Sequence, residues 1–155
     1  MKIVQAGVED AQEISELIAP LLRKYILPTC TAQGSEILLS SMDANSIAKY
    51  IQSGFVYHKG VEQEQLMGIV GMRDNSHLYH LFVTEAYHGK GLATLLWNRA
   101  KAQCCADGNK GDFTVNSAIN AVGLYRKLGF SQVSGIRERF GIKDVPMQLV
   151  LTGTA

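Results

Sequence analysis

Residue types that can hold a phosphate or move a proton crowd one short stretch of the chain, Tyr87-His88-Gly89-Lys90-Gly91-Leu92-Ala93-Thr94. It lies between an apolar run with strand character (LYHLFV) and one with helix character (LATLLWNRAKAQ). Two glycines, a lysine and a threonine at a helix start fit an anion site, because free backbone amides and the positive end of the helix dipole both face such a loop. A plain strand-to-helix turn needs at most one glycine for a positive φ. The nucleoside triphosphate loop GxxxxGK[ST] requires a glycine where this chain has Thr84, and Ser or Thr where it has Gly91. The dinucleotide fingerprint GxGxxG requires a third glycine where this chain has Thr94, and only roughly 65 residues follow the loop, little for half a dinucleotide fold.

Other residues could move protons. Alternate residues of a strand share a face, so His77, Tyr79 and Leu81 are expected on one side and Leu78, His80 and Phe82 on the other. An imidazole can take a proton near pH 7, directly or through water, although a lone strand histidine is more often structural. Tyr125 carries a phenol that stays protonated at neutral pH and can donate a proton. Cys30, Cys104 and Cys105 offer no zinc spacing and no histidine at catalytic spacing, which argues against a metal site and against covalent transfer through cysteine. They read as reduced cytosolic thiols.

The elements that position these groups follow from periodicity and punctuation. Lys2 to Ala6 reads as a strand, and Asp10-x-x-Glu13 as a capping box opening a helix. Ile14, Leu17, Ile18, Leu21, Leu22 and Tyr25 recur at helical spacing, with Pro20 predicting a kink or break and Pro28 a stop, so one helix or two stays open. Ser35 to Ser40 and Asp43 to Gln52 read as short helices. Phe55 to Lys59 and Leu66 to Met72 form a hairpin about the polar turn Val61 to Glu64, and His77 to Val83 is a third strand. A helix from Leu92 buries Leu95, Leu96, Ala100 and Cys104 and ends near Gly108. Phe113 to Asn116 is a strand, after which Ser117 caps a helix ending at Gly129. Phe130 to Val133 and Val145 to Leu151 close the chain as strands, with Pro146 restricted to an edge or bulge. The fold class is therefore mixed α/β, with a strand-helix-strand crossover at the glycine loop that is parallel and right-handed.

Length fits a single domain over residues 1–155. Fifteen basic against fourteen acidic residues, with no basic block, disfavour a nucleic-acid partner. No apolar run approaches a membrane span and the N-terminus lacks signal-peptide character, so a cytoplasmic location is expected.

HGKGLA resembles the [Gln/Arg]-x-x-Gly-x-[Gly/Ala] loop of the GNAT superfamily, the Gcn5-related N-acetyltransferases, with His88 at the Gln/Arg position, Gly91 at the glycine and Ala93 at the last small residue. FTVNSAINAVGLYRKLGF is similar to the second GNAT signature, a strand ending in Asn before a helix with a Tyr and a Leu-Gly-Phe close. IKDVPMQLVL resembles the VPM-containing final strand of one subgroup. The resemblance covers about residues 65 to 151.

It implies a central, mostly antiparallel mixed sheet flanked by helices, and transfer of an acetyl group from acetyl-CoA to a primary amine of a small molecule or peptide by direct attack in a ternary complex. The amides of His88, Gly89, Lys90, Gly91, Leu92, Ala93 and Thr94 would bind the pyrophosphate. The backbone of Phe82 and Val83 would pair with the pantetheine arm, and Asn116 and Asn120 could bind the coenzyme through their amides. Tyr125 would protonate the leaving thiolate. Residues four and six positions before the strand-ending valine, Tyr79 and His77, would face the acceptor, with His77 the candidate base, His80 and Glu85 behind it, and water a sufficient alternative. Acceptor specificity would come from the segment around Leu22, Tyr25 and Cys30 and from Arg137 to Phe140. A non-catalytic acyl-CoA binding module would keep the loop without needing Tyr125. A homodimer is left open.

Overall fold

Eight strands form one sheet in the computed structural model, which describes residues 1–151. They are β1 (Lys2–Gln5), β2 (Val56–Glu62), β3 (Gln65–Arg73), β4 (His77–Val83), β5 (Asp112–Ala118), β6 (Ser131–Gln132), β7 (Arg137–Arg139) and β8 (Ile142–Val150). The order across the sheet is β1-β2-β3-β4-β5-β8-β6, with β7 also on β8. All pairs are antiparallel except β4 with β5, the expected crossover. Among the described residues there are five α-helices: α1 (Ala11–Leu21), α2 (Ala32–Ser41), α3 (Ala44–Gln52), α4 (Leu92–Ala106) and α5 (Val122–Lys127).

Two cores sit on opposite faces of the sheet. Ile14 and Ile18 of α1 and Ile47 of α3 close over Tyr57 and Ile69 on one side. Leu92, Leu96 and Trp97 of α4 close over Val70, Leu78, Phe113 and Val115 on the other. Trp97 packs edge-on to Phe113, with ring centroids 5.2 Å apart.

Local chemistry sets most boundaries. Gln63–Glu64 take positive φ in the two-residue link from β2 to β3, and Asp74–Asn75 do so in the three-residue link from β3 to β4, closed by Ser76 N–H donating to Arg73 O. Thr31 and Asp43 cap α2 and α3 by accepting from the amides of Gly34 and Ser46. Three expectations fail. Asp10 does not cap α1: its carboxylate accepts from Gly7 N–H at 2.8 Å and from Lys59 Nζ at 2.6 Å, so a strand lysine outcompetes the helix. Ser117 is not a helix cap but a fully buried β5 residue facing the α4 side, and α5 starts later, at Val122. Leu95 is half-exposed rather than buried. Pro20, read as a kink or break, sits inside α1, which runs one residue past it and widens into a π turn over Leu22–Ile26, before a 3₁₀ turn at Leu27–Thr29.

The expected faces of β4 are also corrected. Opposite β3, Gly71 pairs with His80 and Met72 with Leu78, so Tyr79 is an extra residue, a β-bulge that shifts the alternation by one. Leu78 and Leu81 consequently share the α4-side core. His77, aligned with Thr114, lies on the opposite face, and the rings of Tyr79 and His80 are 4.4 Å apart on that side. The Tyr57 ring lies flat across Gly71, where a Cβ would fall inside it, and reaches His80 Nδ1 at 2.8 Å. Gly71→Ala is expected to destabilise by about 1–3 kcal/mol through overpacking of this buried ring, read as a lower urea midpoint with unchanged slope.

Candidate functional site

Strands β4 and β5 pair only at His77–Leu78 with Thr114–Val115, and beyond that point they part. The gap is a cleft of about 760 Å³ lined by the end of β4, the 87–94 loop apart from Lys90, Ala118 at the end of β5, Asn120 and Ala121 after it, Leu124 and Lys127 of α5, Leu21 of α1, and Tyr25 and Ile26 of the π turn. The bulge at Tyr79 follows the last paired residue, so the added twist it brings falls where β4 leaves β5.

The parted strand presents backbone to the cleft. Thr84 N–H bonds to Met67 O, and Gly68 lies opposite Val83. That phase sends the peptide groups of Phe82 to β3 and those of Leu81 and Val83 to the cleft edge. Of the two residues expected to pair with an extended ligand, Val83 therefore offers its backbone and Phe82 its side chain.

The loop presents more donors. Gly89 and Gly91 hold φ of 74° and 81°, and Gly91 is the N-cap of α4. Among the described residues the amides of Gly89, Gly91, Leu92, Ala93 and Thr94 have no backbone partner, whereas His88 N–H and Lys90 N–H are taken by Glu85 O and Tyr87 O. The expected cradle of amides is thus five of the seven residues, set at the positive end of a helix of 15 residues. The Lys90 ammonium lies 5.7 Å from the Tyr87 ring centroid. His88 Nε2 donates to Val83 O at 2.7 Å, which ties the loop to the strand end.

The N-terminal segment closes one wall. Lys24 Nζ pairs with Glu85 at 2.8 Å, and the Tyr25 and His88 ring centroids lie 5.9 Å apart. Asn120 Nδ2 donates to Tyr25 O at 2.7 Å, so this candidate ligand residue also spans the cleft. Pattern reading placed Tyr25 on an acceptor surface; its neighbours are the loop and Asn120. The signal for that was Pro20, whose missing N–H weakens the helical ladder just before it widens.

The proton-moving candidates are more deeply placed. Tyr125 is 7% exposed, packs edge-on to Phe130 in the α4-side core and does not line the cleft, although Ala121 and Leu124 nearby in the chain do. Burial drives its phenol well above the usual range, so it stays protonated. His77 Nδ1 meets Thr114 Oγ1 at 2.7 Å at the closed end of the splay, and burial lowers its pKa to about 4. His80 is lowered by burial to about 3. Both imidazoles are neutral at pH 7. Asn116 is exposed on β5, on the same face as Thr114, and does not line the cleft. The Cys104 thiol, pushed up to about 11 by burial, lies under α4 away from it. Among the described residues no group of three or more His, Cys, Asp or Glu side chains could hold a metal ion.

The profile of the acetyltransferase (GNAT) domain matches residues 26–151. This chain belongs to the GNAT family. The solved structures it resembles include a GCN5-related N-acetyltransferase from Rhodopseudomonas palustris, with 17% identity and a TM-score of 0.81, covering 97% of this chain and 95% of that one. The PaiA N-acetyltransferase of Thermoplasma acidophilum, solved in complex with coenzyme A, is 17% identical with a TM-score of 0.75, covering 97% and 100%. The aminoglycoside 6'-N-acetyltransferase of Enterococcus faecium is 13% identical with a TM-score of 0.70, covering both chains fully. At these identities the likeness speaks for the GNAT fold. Among curated proteins nothing matches the chain.

The neutral histidines give this GNAT domain an acid sensitivity. Unfolded imidazoles take a proton near pH 6.5, so between there and about pH 4 the unfolded chain binds more protons than the folded one, and stability falls as pH falls. His77→Gln is expected to remove its share: the denaturation midpoint should drop less than the wild-type midpoint between about pH 7 and 4.5. An equal drop would show that His77 is not held neutral.

Proposed function

We propose that the chain is a single catalytic domain, acting in a reducing compartment such as the cytoplasm, that transfers an acetyl group from acetyl-CoA to a primary amine of a small molecule or peptide. The observation that carries this reading is the meeting, in one cleft, of unbonded amides at a helix start with an unpaired strand edge. The first suits a pyrophosphate and the second an extended chain of amides, and coenzyme A contains both in sequence. The complex of the PaiA relative with coenzyme A supports the same ligand.

In this reading Gly89, Gly91, Leu92, Ala93 and Thr94 hold the pyrophosphate, with Lys90 adding charge. The edge of Leu81 and Val83 pairs with the pantetheine, and a β4 amide polarises the thioester carbonyl. The acceptor attacks as a neutral amine in a ternary complex. Tyr125, kept protonated by burial, supplies the proton to the departing thiolate. His77, neutral and fastened to Thr114, positions water that carries the amine proton away; its low proton affinity suits that role better than retaining the proton. Asn116 extends the face of Thr114 toward the acceptor. Acceptor choice rests on two segments that touch, since Thr31 N–H donates to Gly141 O at 3.0 Å where the β7–β8 hairpin tip meets the start of α2.

Acetyl-CoA at 100 times its dissociation constant is expected to stabilise the protein by about 2.7 kcal/mol in a thermal shift, with NADH and ATP inert. Stabilisation by NADH or ATP but not acetyl-CoA would sink the reading. With an acceptor found by thiol release from an amine panel, Tyr125→Phe should lower kcat by about a hundredfold or more and leave acetyl-CoA affinity nearly intact. Unchanged turnover would remove Tyr125 from the reaction.

A further inference from the structure

His88 is held in one tautomer by geometry alone. A carbonyl oxygen only accepts, so the 2.7 Å contact with Val83 O requires the proton on Nε2. In the neutral ring Nδ1 then carries a lone pair. Among the described residues this nitrogen has no hydrogen-bond partner, and the ring is exposed at the lip of the cleft beside the unbonded loop amides.

A phosphate diester offers acceptors and negative charge only. Against it the Nδ1 lone pair is repulsive, while a protonated Nδ1 is a donor whose partner Nε2–H keeps its bond to Val83 O. We propose that binding of the coenzyme's pyrophosphate is linked to the uptake of one proton at His88 Nδ1, so that His88 clamps the loop to β4 with one nitrogen and the phosphate with the other. This rests on the coenzyme reading of the cleft. It makes His88 a positioning residue whose grip strengthens as pH falls.

The charges around the ring leave the decision to the ligand. Glu85 on the loop favours the imidazolium, but its carboxylate is engaged by Lys24 from the π turn. Lys90 on the loop, beside the Tyr87 ring, and Lys127 of α5, in the cleft lining, carry charge that opposes it. Tyr25 faces the ring with its aromatic body and Val83 with a carbonyl. The incoming phosphate is the one strong unpaired negative charge the ring would meet.

Dephospho-CoA is the probe, because the 3'-phosphate of the full coenzyme has its own ionisation near pH 6 and would confound the titration. The wild-type dissociation constant is expected to fall by up to about tenfold per pH unit, the one-proton limit, as pH drops from about 8.5 toward 6. Calorimetry in two buffers of different ionisation enthalpy should show proton uptake on binding. His88→Gln offers two N–H donors that do not titrate, so it should bind with a flat pH profile and no uptake. A flat wild-type profile without uptake, or equal uptake by His88→Gln, overturns the proposal while leaving the coenzyme reading intact. Absence of binding by wild-type protein at every pH overturns both. Independently of any variant, the ¹⁵N shift of His88 Nδ1 in the wild-type protein at about pH 7.5 should move from the unprotonated to the protonated range on adding the probe; an unmoved shift also overturns it.

Discussion

The rest of the molecule depends on two strands that stop pairing. β4 and β5 share a ladder over two residues each and then separate, which exposes peptide groups of Leu81 and Val83 in the middle of an otherwise continuous sheet. A buried strand interior does not tolerate such an edge without a replacement partner. β5 is held on course along its whole length by β8, from Asp112 opposite Val150 to Ala118 opposite Asp144. The divergence therefore falls to β4, and Tyr79 supplies it as an inserted residue at the branch point. Gly71 makes room opposite for the Tyr57 ring, so bulge, glycine and tyrosine act as one device.

Around that gap the chain satisfies what it can and leaves the rest for a ligand. His88 answers Val83 O, and Asn120 answers Tyr25 O across the opening. The two glycines of the loop turn the backbone so that the first amides of α4 point outward, and no side chain caps them. Capping residues are present where the chain wants a closed helix start, at Thr31 and Asp43. α1 and α5 also start without a side-chain cap, so what sets the start of α4 apart is the pair of left-handed glycines before it, which leave its first amides unbonded at the cleft.

Much of the frame was legible because its signals are local. His77 to Val83 and Leu92 onward were bounded correctly by an apolar run, two glycines and a helical stripe. The fold family followed from the 87–94 loop and the 113–130 stretch together. What was not legible depends on contacts distant in sequence. The Asp10 carboxylate is claimed by Lys59, some four dozen residues away in the chain, which no capping pattern can anticipate. The strand faces of β4 were misread because a bulge is defined by the partner strand's register. Ser117 was read as a cap because β5 runs two residues further than its apolar alternation shows, through Ala118, paired to β8. In the site, the loop and the strand end were readable, while the neutrality of His77 and the depth of Tyr125 come from burial, which spacing does not report.

A site built this way separates two kinds of recognition. The cleft side is made of peptide groups, whose placement depends on φ at Gly89 and Gly91 and on the phase of β4, so most side chains there can change without moving a donor. That is consistent with relatives at 13–17% identity superimposing over nearly their whole length. The other face is made of side chains: the Tyr50, Phe55 and Tyr79 rings packed at 5.0–5.2 Å, His77 on Thr114, and Arg137 paired with Asp144. Substitutions there alter shape and charge directly. His88 is the exception on the cleft side, a side chain inserted into a backbone-built surface, where its Nε2–H bonds to Val83 O and ties the loop to the end of β4.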